Sequence, residues 1–63
     1  MARVEAEAPL ADPGSRAVLA DDGERLVLTV YGAAGPLAAT ELSALHALTL
    51  AADLMTAARR RVG

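Results

Sequence analysis

The chain contains no cysteine, phenylalanine or tryptophan, and Tyr31 is its only aromatic residue. Without cysteine it cannot form a disulfide, and with a single histidine it lacks the four nitrogen or sulfur ligands that a structural zinc ion requires. Small domains usually supplement a small core with a disulfide, a metal or a partner chain. We therefore expect association with another chain to supply the missing stability.

Large apolar side chains are also scarce. Hydrophobic residues make up 54% of the 63 residues, but sixteen of them are alanine, leaving ten leucines, five valines and two methionines beside Tyr31. A chain of about 60 residues buries only roughly 60% of the surface that it exposes when unfolded. The length allows one domain of marginal stability.

Lysine, asparagine and glutamine are missing, and all six basic residues are arginine. This bias, together with the abundant alanine, is typical of a GC-rich bacterial genome. The net charge of −2 and the pI near 5.1 disfavour a general nucleic-acid-binding protein. No apolar run approaches the roughly 18 residues of a membrane span, and the first residues lack the apolar centre of a signal peptide. We expect a cytoplasmic protein.

Residues 1–15 form a separate acidic segment, interrupted by Pro9, Pro13 and Gly14. Terminal segments without large apolar residues are poorly tied down. We predict a flexible N-terminal tail at 1–15 and a single ββ(β)α domain at 16–63. A short edge strand in the tail is the alternative, because small apolar and charged residues alternate over 3–8.

An Asp22-Gly23 dipeptide separates two apolar runs, 16–20 and 25–31, which is a strong signal for a hairpin with a two-residue turn. This turn pairs Leu19 with Leu26. One face of the hairpin is then apolar and predicted to be core, comprising Ala17, Leu19, Leu26, Leu28 and Val30. The opposite face is mixed, comprising Arg16, Val18, Ala20, Arg25, Val27, Thr29 and Tyr31. On this mixed face Val27 and Tyr31 are equally compatible with a partner contact and with ordinary surface.

Residues 37–42 follow a Gly-Pro turn and fit either a third strand or the first turns of the helix. Helical phase favours the strand, because a longer helix would place Leu42 among polar residues and Glu41 among apolar ones. Ser43 is a good N-cap residue. We predict a strand at 37–42 and a helix at 44–61.

The predicted helix has a single narrow polar stripe, and its apolar arc covers roughly two thirds of the circumference. A small sheet can cover only one side of such a helix, so the same helix of a second copy is the simplest cover for the rest. The large apolar residues that we assign to the core or interface are Leu45, Leu48, Leu50, Leu54 and Met55.

Two groups of polar residues are candidate sites. His46 and Asp53 share the polar stripe but lie about 10 Å apart along the axis, too far for a hydrogen bond, and no nucleophile accompanies them. Arg59, Arg60 and Arg61 could contact phosphate, although cations at a helix C-terminus are also explained by the helix dipole. We predict no catalytic, cofactor or metal site.

The sequence therefore predicts a small α+β protein, with an antiparallel β-meander of two or three strands and one C-terminal amphipathic helix packed across it, as a dimer. The expected function is a non-enzymatic protein-protein interaction module, an adaptor or accessory subunit that binds itself or a larger complex. The alternative is a small dimeric, antitoxin-like DNA-binding regulator that uses Arg59, Arg60 and Arg61.

Overall fold

The computed structural model describes residues 3–63. It is an α+β structure in which four consecutive antiparallel strands form one open sheet and a single helix follows. The elements are β1 (Arg3–Pro9), β2 (Arg16–Asp21), β3 (Leu26–Gly32), β4 (Gly35–Leu42) and α1 (Ala44–Val62). The strands lie in the order β1-β2-β3-β4. The meander thus has four strands, not the two or three predicted.

The additional strand is β1, which occupies part of the segment predicted as a flexible tail. It pairs with β2 from Arg3↔Asp21 to Pro9↔Arg16, with a bulge between Val4 and Ala6. Backbone hydrogen bonds hold such an edge strand, and these leave no signature in amino-acid composition. One cross-strand ion pair adds to them, since Arg16 Nε lies 3.0 Å from Glu7 Oε1. Residues 3–9 therefore form the edge strand that was the alternative to a tail, while Met1 and Ala2 lie outside the described residues.

The hairpin between β2 and β3 has the predicted position but a longer loop. Residues 22–25 form this loop, and Leu19 pairs with Leu28 where Leu26 was predicted. The Asp22 carboxylate explains the difference, because its Oδ1 accepts hydrogen bonds from the backbone N–H of Glu24 at 2.9 Å and of Arg25 at 2.8 Å. A register shift of two residues keeps the side chains that remain within the strands on their predicted faces.

The strand predicted at 37–42 is confirmed and begins slightly earlier, at Gly35. A two-residue connection, Ala33–Ala34, links it to β3. Gly35 has a φ of 139°, a conformation that L side chains rarely adopt. The Arg25 guanidinium also reaches β4 and binds the Glu41 carboxylate at 2.6 Å. The short Ala33–Ala34 connection holds one end of β4 beside β3, and the Arg25–Glu41 ion pair holds the other end, where the helix begins.

The predicted two faces of the sheet are confirmed by the strand register. The leucine face is formed by the predicted residues Ala17, Leu19, Leu26, Leu28 and Val30, joined by Ala38, Thr40 and Leu42 of β4, by Ala6 and Ala8 of β1, and at one end by Asp21, which pairs with Leu26. The mixed face carries Arg16, Val18, Ala20, Val27, Thr29 and Tyr31, joined by Ala39 and Glu41. Arg25 belongs to the loop and not to a strand of the mixed face.

Ser43 begins the helix as predicted. Its backbone is extended and its hydroxyl accepts a hydrogen bond from the His46 backbone N–H at 3.2 Å, which satisfies one of the free amides of the first turn. The helix continues one residue beyond the predicted end, to Val62, and Gly63 N–H donates to the Arg59 carbonyl at 2.8 Å.

The helix does not pack across the sheet, which corrects the prediction. Its main contacts with the sheet are with the adjacent strand β4, and Ala47 is its only half-buried residue. The molecule is accordingly flat, with extents of 40 × 31 × 16 Å. Across residues 3–63 no side chain is fully buried. A helix that leaves the sheet directly from β4, after the single residue Ser43, has no loop on which to fold back.

The Asp22 loop makes a testable prediction about pH. Hydrogen bonds from the Arg25 and Glu24 backbone amides lower the pKa of the Asp22 carboxyl below its ordinary value of 3.8. A lowered pKa in the folded state stabilises the fold above the unfolded pKa, and this contribution disappears as the pH falls through the folded pKa. We expect wild type to melt at a higher temperature than Asp22→Asn at neutral pH.

The difference between these two melting temperatures should begin to shrink as the pH falls below about 4 and should disappear only below the lowered pKa of Asp22 in the folded state. The Asp22→Asn variant retains a side-chain oxygen acceptor, so it isolates the charge, whereas Asp22→Ala also removes the acceptor and should be less stable at every pH. A melting difference between wild type and Asp22→Asn that is constant from pH 7 to pH 3 would contradict the assignment.

Candidate interaction surfaces

The leucine face of the sheet has no second layer above it. Its residues on β2 and β3 are only half-buried, and that shielding comes from neighbouring strands within the same sheet. A sheet normally buries its apolar face against another layer. The leucine face is therefore a largely apolar surface that no other layer of the single chain covers.

The helix presents the second apolar surface. The five residues assigned to the core or interface are all exposed in the single chain: Leu45, Leu48, Leu50, Leu54 and Met55. Leu48 is 68% exposed and Met55 52%, although these two residues were expected to be buried. The prediction divided the burial of the large helix residues between an intrachain core and an interface, and one chain by itself buries none of them because α1 stands off the sheet. Their role in an interface stays a prediction.

The mixed face of the sheet is covered by charged side chains at one end. The Arg16 guanidinium lies 4.4 Å from the centroid of the Tyr31 ring, which is a cation–π distance, and the same guanidinium group binds Glu7. Val27 lies in an open depression with Ala39, Thr40 and Glu41. Val27 and Tyr31 are half-buried, as the residues of the leucine face on β2 and β3 are, so their role in a partner contact stays a prediction.

His46 belongs to the helix cap. Its Nδ1 lies 2.9 Å from the Ser43 hydroxyl, whose oxygen also accepts from the His46 backbone N–H. The sequence carries a signal for this contact, since His46 occupies the position three residues after the N-cap where a capping box has Glu or Gln. Asp53 lies two turns further along α1. The structure does not bring His46 and Asp53 together as a site.

The three arginines at the end of α1 do not form one surface. Arg59, Arg60 and Arg61 are all exposed, and consecutive helical residues point about 100° apart. Of the described residues, none forms an ion pair with these three guanidinium groups. A phosphate-binding patch would need several of them on one face, so their arrangement fits the helix-dipole interpretation better.

Residues 3–63 also lack two other kinds of site. No group of three or more His, Asp or Glu side chains there is placed to hold a metal ion. The helix of this described segment is not long and apolar enough to cross a membrane.

Comparison of the chain with models of protein families, with curated proteins and with solved structures finds no match.

Proposed function

We propose that this protein is a small non-enzymatic interaction module, an adaptor or accessory subunit of the bacterial cytoplasm that completes its hydrophobic core by association. The observation that carries the proposal is that the leucine face and the apolar arc of α1 are both uncovered in one chain. Contiguous apolar surface of this kind marks protein–protein contacts.

The local chemistry of α1 supports an interaction role over catalysis. The His46 imidazole contacts the Ser43 hydroxyl at the helix cap. A catalytic site requires several groups that converge on one reacting atom. Asp53, the other candidate, lies on the same stripe about 10 Å away along the axis.

The proposal predicts a large effect of charge on the apolar side of α1. In a single chain Leu48 and Met55 face solvent, so Leu48→Glu with Met55→Glu should cost a monomer little. If association buries them, the free energy of association of the double variant is weakened by about 3 kcal/mol or more. This corresponds to association that is at least roughly a hundredfold weaker. We expect it to become monomeric or to unfold, as measured by light scattering and thermal melting.

Thr49→Glu with Thr56→Glu is the matched control, because it places the same two charges at the same spacing of seven residues on the polar stripe. This control should keep the mass and melting temperature of wild type. A folded wild-type monomer in which the Leu48/Met55 variant melts like the control would overturn the proposal. A wild-type chain that is unfolded alone would mean that its partner is a different protein.

The DNA-binding alternative predicts binding to duplex DNA, whereas our proposal predicts none. The arginines of one chain point in different directions and the chain carries a net charge of −2. We therefore expect no binding to duplex DNA at low salt in a fluorescence anisotropy titration. Binding that weakens steeply with salt and is lost in the Arg59/Arg60/Arg61→Ala variant would replace our proposal with a regulator.

A further inference from the structure

We propose that the apolar side of α1 is covered by α1 of a second copy, and that the two helices run antiparallel. This inference rests on the proposed function and specifies its partner and geometry. It follows from three features of the chain, namely its excess surface area, the spacing of apolar residues along α1 and the position of its charges.

The exposed area has the magnitude that a dimer requires. The chain exposes 5120 Å², whereas a folded monomer of 6.4 kDa is expected to expose about 3,800 Å². The excess is about 1,300 Å² per chain, or about 2,600 Å² for two chains, which lies in the range of obligate homodimer interfaces. A second copy brings the same uncovered surfaces, so a two-fold pair can satisfy both chains at once.

Six residues of α1 form one continuous apolar row, which we call the helix seam: Ala44, Leu48, Ala51, Met55, Ala58 and Val62. They are spaced alternately by four and three residues, the heptad pattern of helices that pack along their length. The three large members are 68%, 52% and 91% exposed, in chain order. The seam extends over the whole of α1 from Ala44 to Val62.

The alternation of small and large residues selects the direction of the partner. In a fully overlapping antiparallel pair Leu48 faces Ala58 of the second copy, Met55 faces Ala51, and Val62 faces Ala44. Every layer then joins one large and one small side chain, which fills space evenly. In a parallel pair large residues would meet large ones and alanines would meet alanines, leaving gaps in alternate layers.

The charges select the same direction. A parallel pair would place Arg59, Arg60 and Arg61 of both chains at one end, where like charges repel and two helix dipoles align. An antiparallel pair separates the two arginine groups by roughly 21 Å along the axis, measured between the two copies of Arg60. The aliphatic stems of Arg59 would then lie over Leu45 of the second copy, with the guanidinium groups in water.

Cysteine pairing tests the arrangement, because the natural chain has no cysteine to interfere. Leu48→Cys and Ala58→Cys are prepared separately, mixed, allowed to exchange and then mildly oxidised. In the antiparallel pair residue 48 lies beside residue 58 of the other copy, whereas two copies of residue 48 are about 15 Å apart along the axis. A disulfide requires Cα atoms within about 7 Å.

We expect the mixture to form a disulfide-linked heterodimer at least about tenfold faster than either variant alone links to itself. Asp53→Cys is the matched control, since residue 53 lies at the same height in both copies but on the polar stripe, and it should not cross-link. If Leu48→Cys and Ala58→Cys each linked to themselves and the mixture formed no disulfide between residues 48 and 58, the pair would be parallel.

Light scattering on the wild-type chain separates this inference from the proposed function. A dimer whose variants cross-link in the parallel pattern, or in none, would overturn the antiparallel arrangement and leave association itself standing. A chain that is unfolded alone would overturn the claim that the partner is a second copy, and would leave the proposed interaction role standing. A folded monomer with an insensitive Leu48/Met55 variant would overturn both.

Discussion

Burial of apolar surface is the interaction on which the rest of this structure depends, and one chain by itself provides little of it. The sheet is a single layer whose leucine face is half-buried at best, and α1 leaves the sheet directly after Ser43. Ordering each residue costs about 1–2 kcal/mol of backbone entropy, and burying one large apolar side chain returns about 1.5–3 kcal/mol. With so few large side chains and no disulfide, one chain buries little apolar surface, and for this reason we propose that a partner completes its core.

The parts of the fold that were predictable are those encoded by neighbouring residues. Ser43 determines where the helix begins, and alternation along 16–20 and 25–31 determines which side chains share a face. The register of the hairpin was wrong by two residues because the Asp22 carboxylate widens the loop, a contact that competes with the two-residue turn favoured by Asp-Gly. Strand β1 was only the alternative to a tail, because its side chains are small or charged and backbone pairing with β2 holds it.

For the candidate surfaces too, features encoded by neighbouring residues were predictable and features that depend on distant contacts were not. The wide apolar arc of α1 indicated that a small sheet could not cover the helix, and the structure goes further by leaving Leu48 and Met55 mostly exposed. Contacts between distant residues were beyond prediction, such as the ion pair between Arg25 and Glu41, sixteen residues apart. The Arg16–Tyr31 stacking also depends on strand pairing, so it emerged only from the structure.

The most direct test of the central claim, that folding and association with a second copy are one process, is the melting temperature as a function of protein concentration. If two chains unfold and dissociate together, mass action raises the melting temperature with concentration. With an unfolding enthalpy of about 0.7 kcal/mol per residue, the rise is about 6 °C for each tenfold increase. A cooperative transition whose midpoint stays constant over a hundredfold range of concentration would show that the chain folds alone, and would contradict the account.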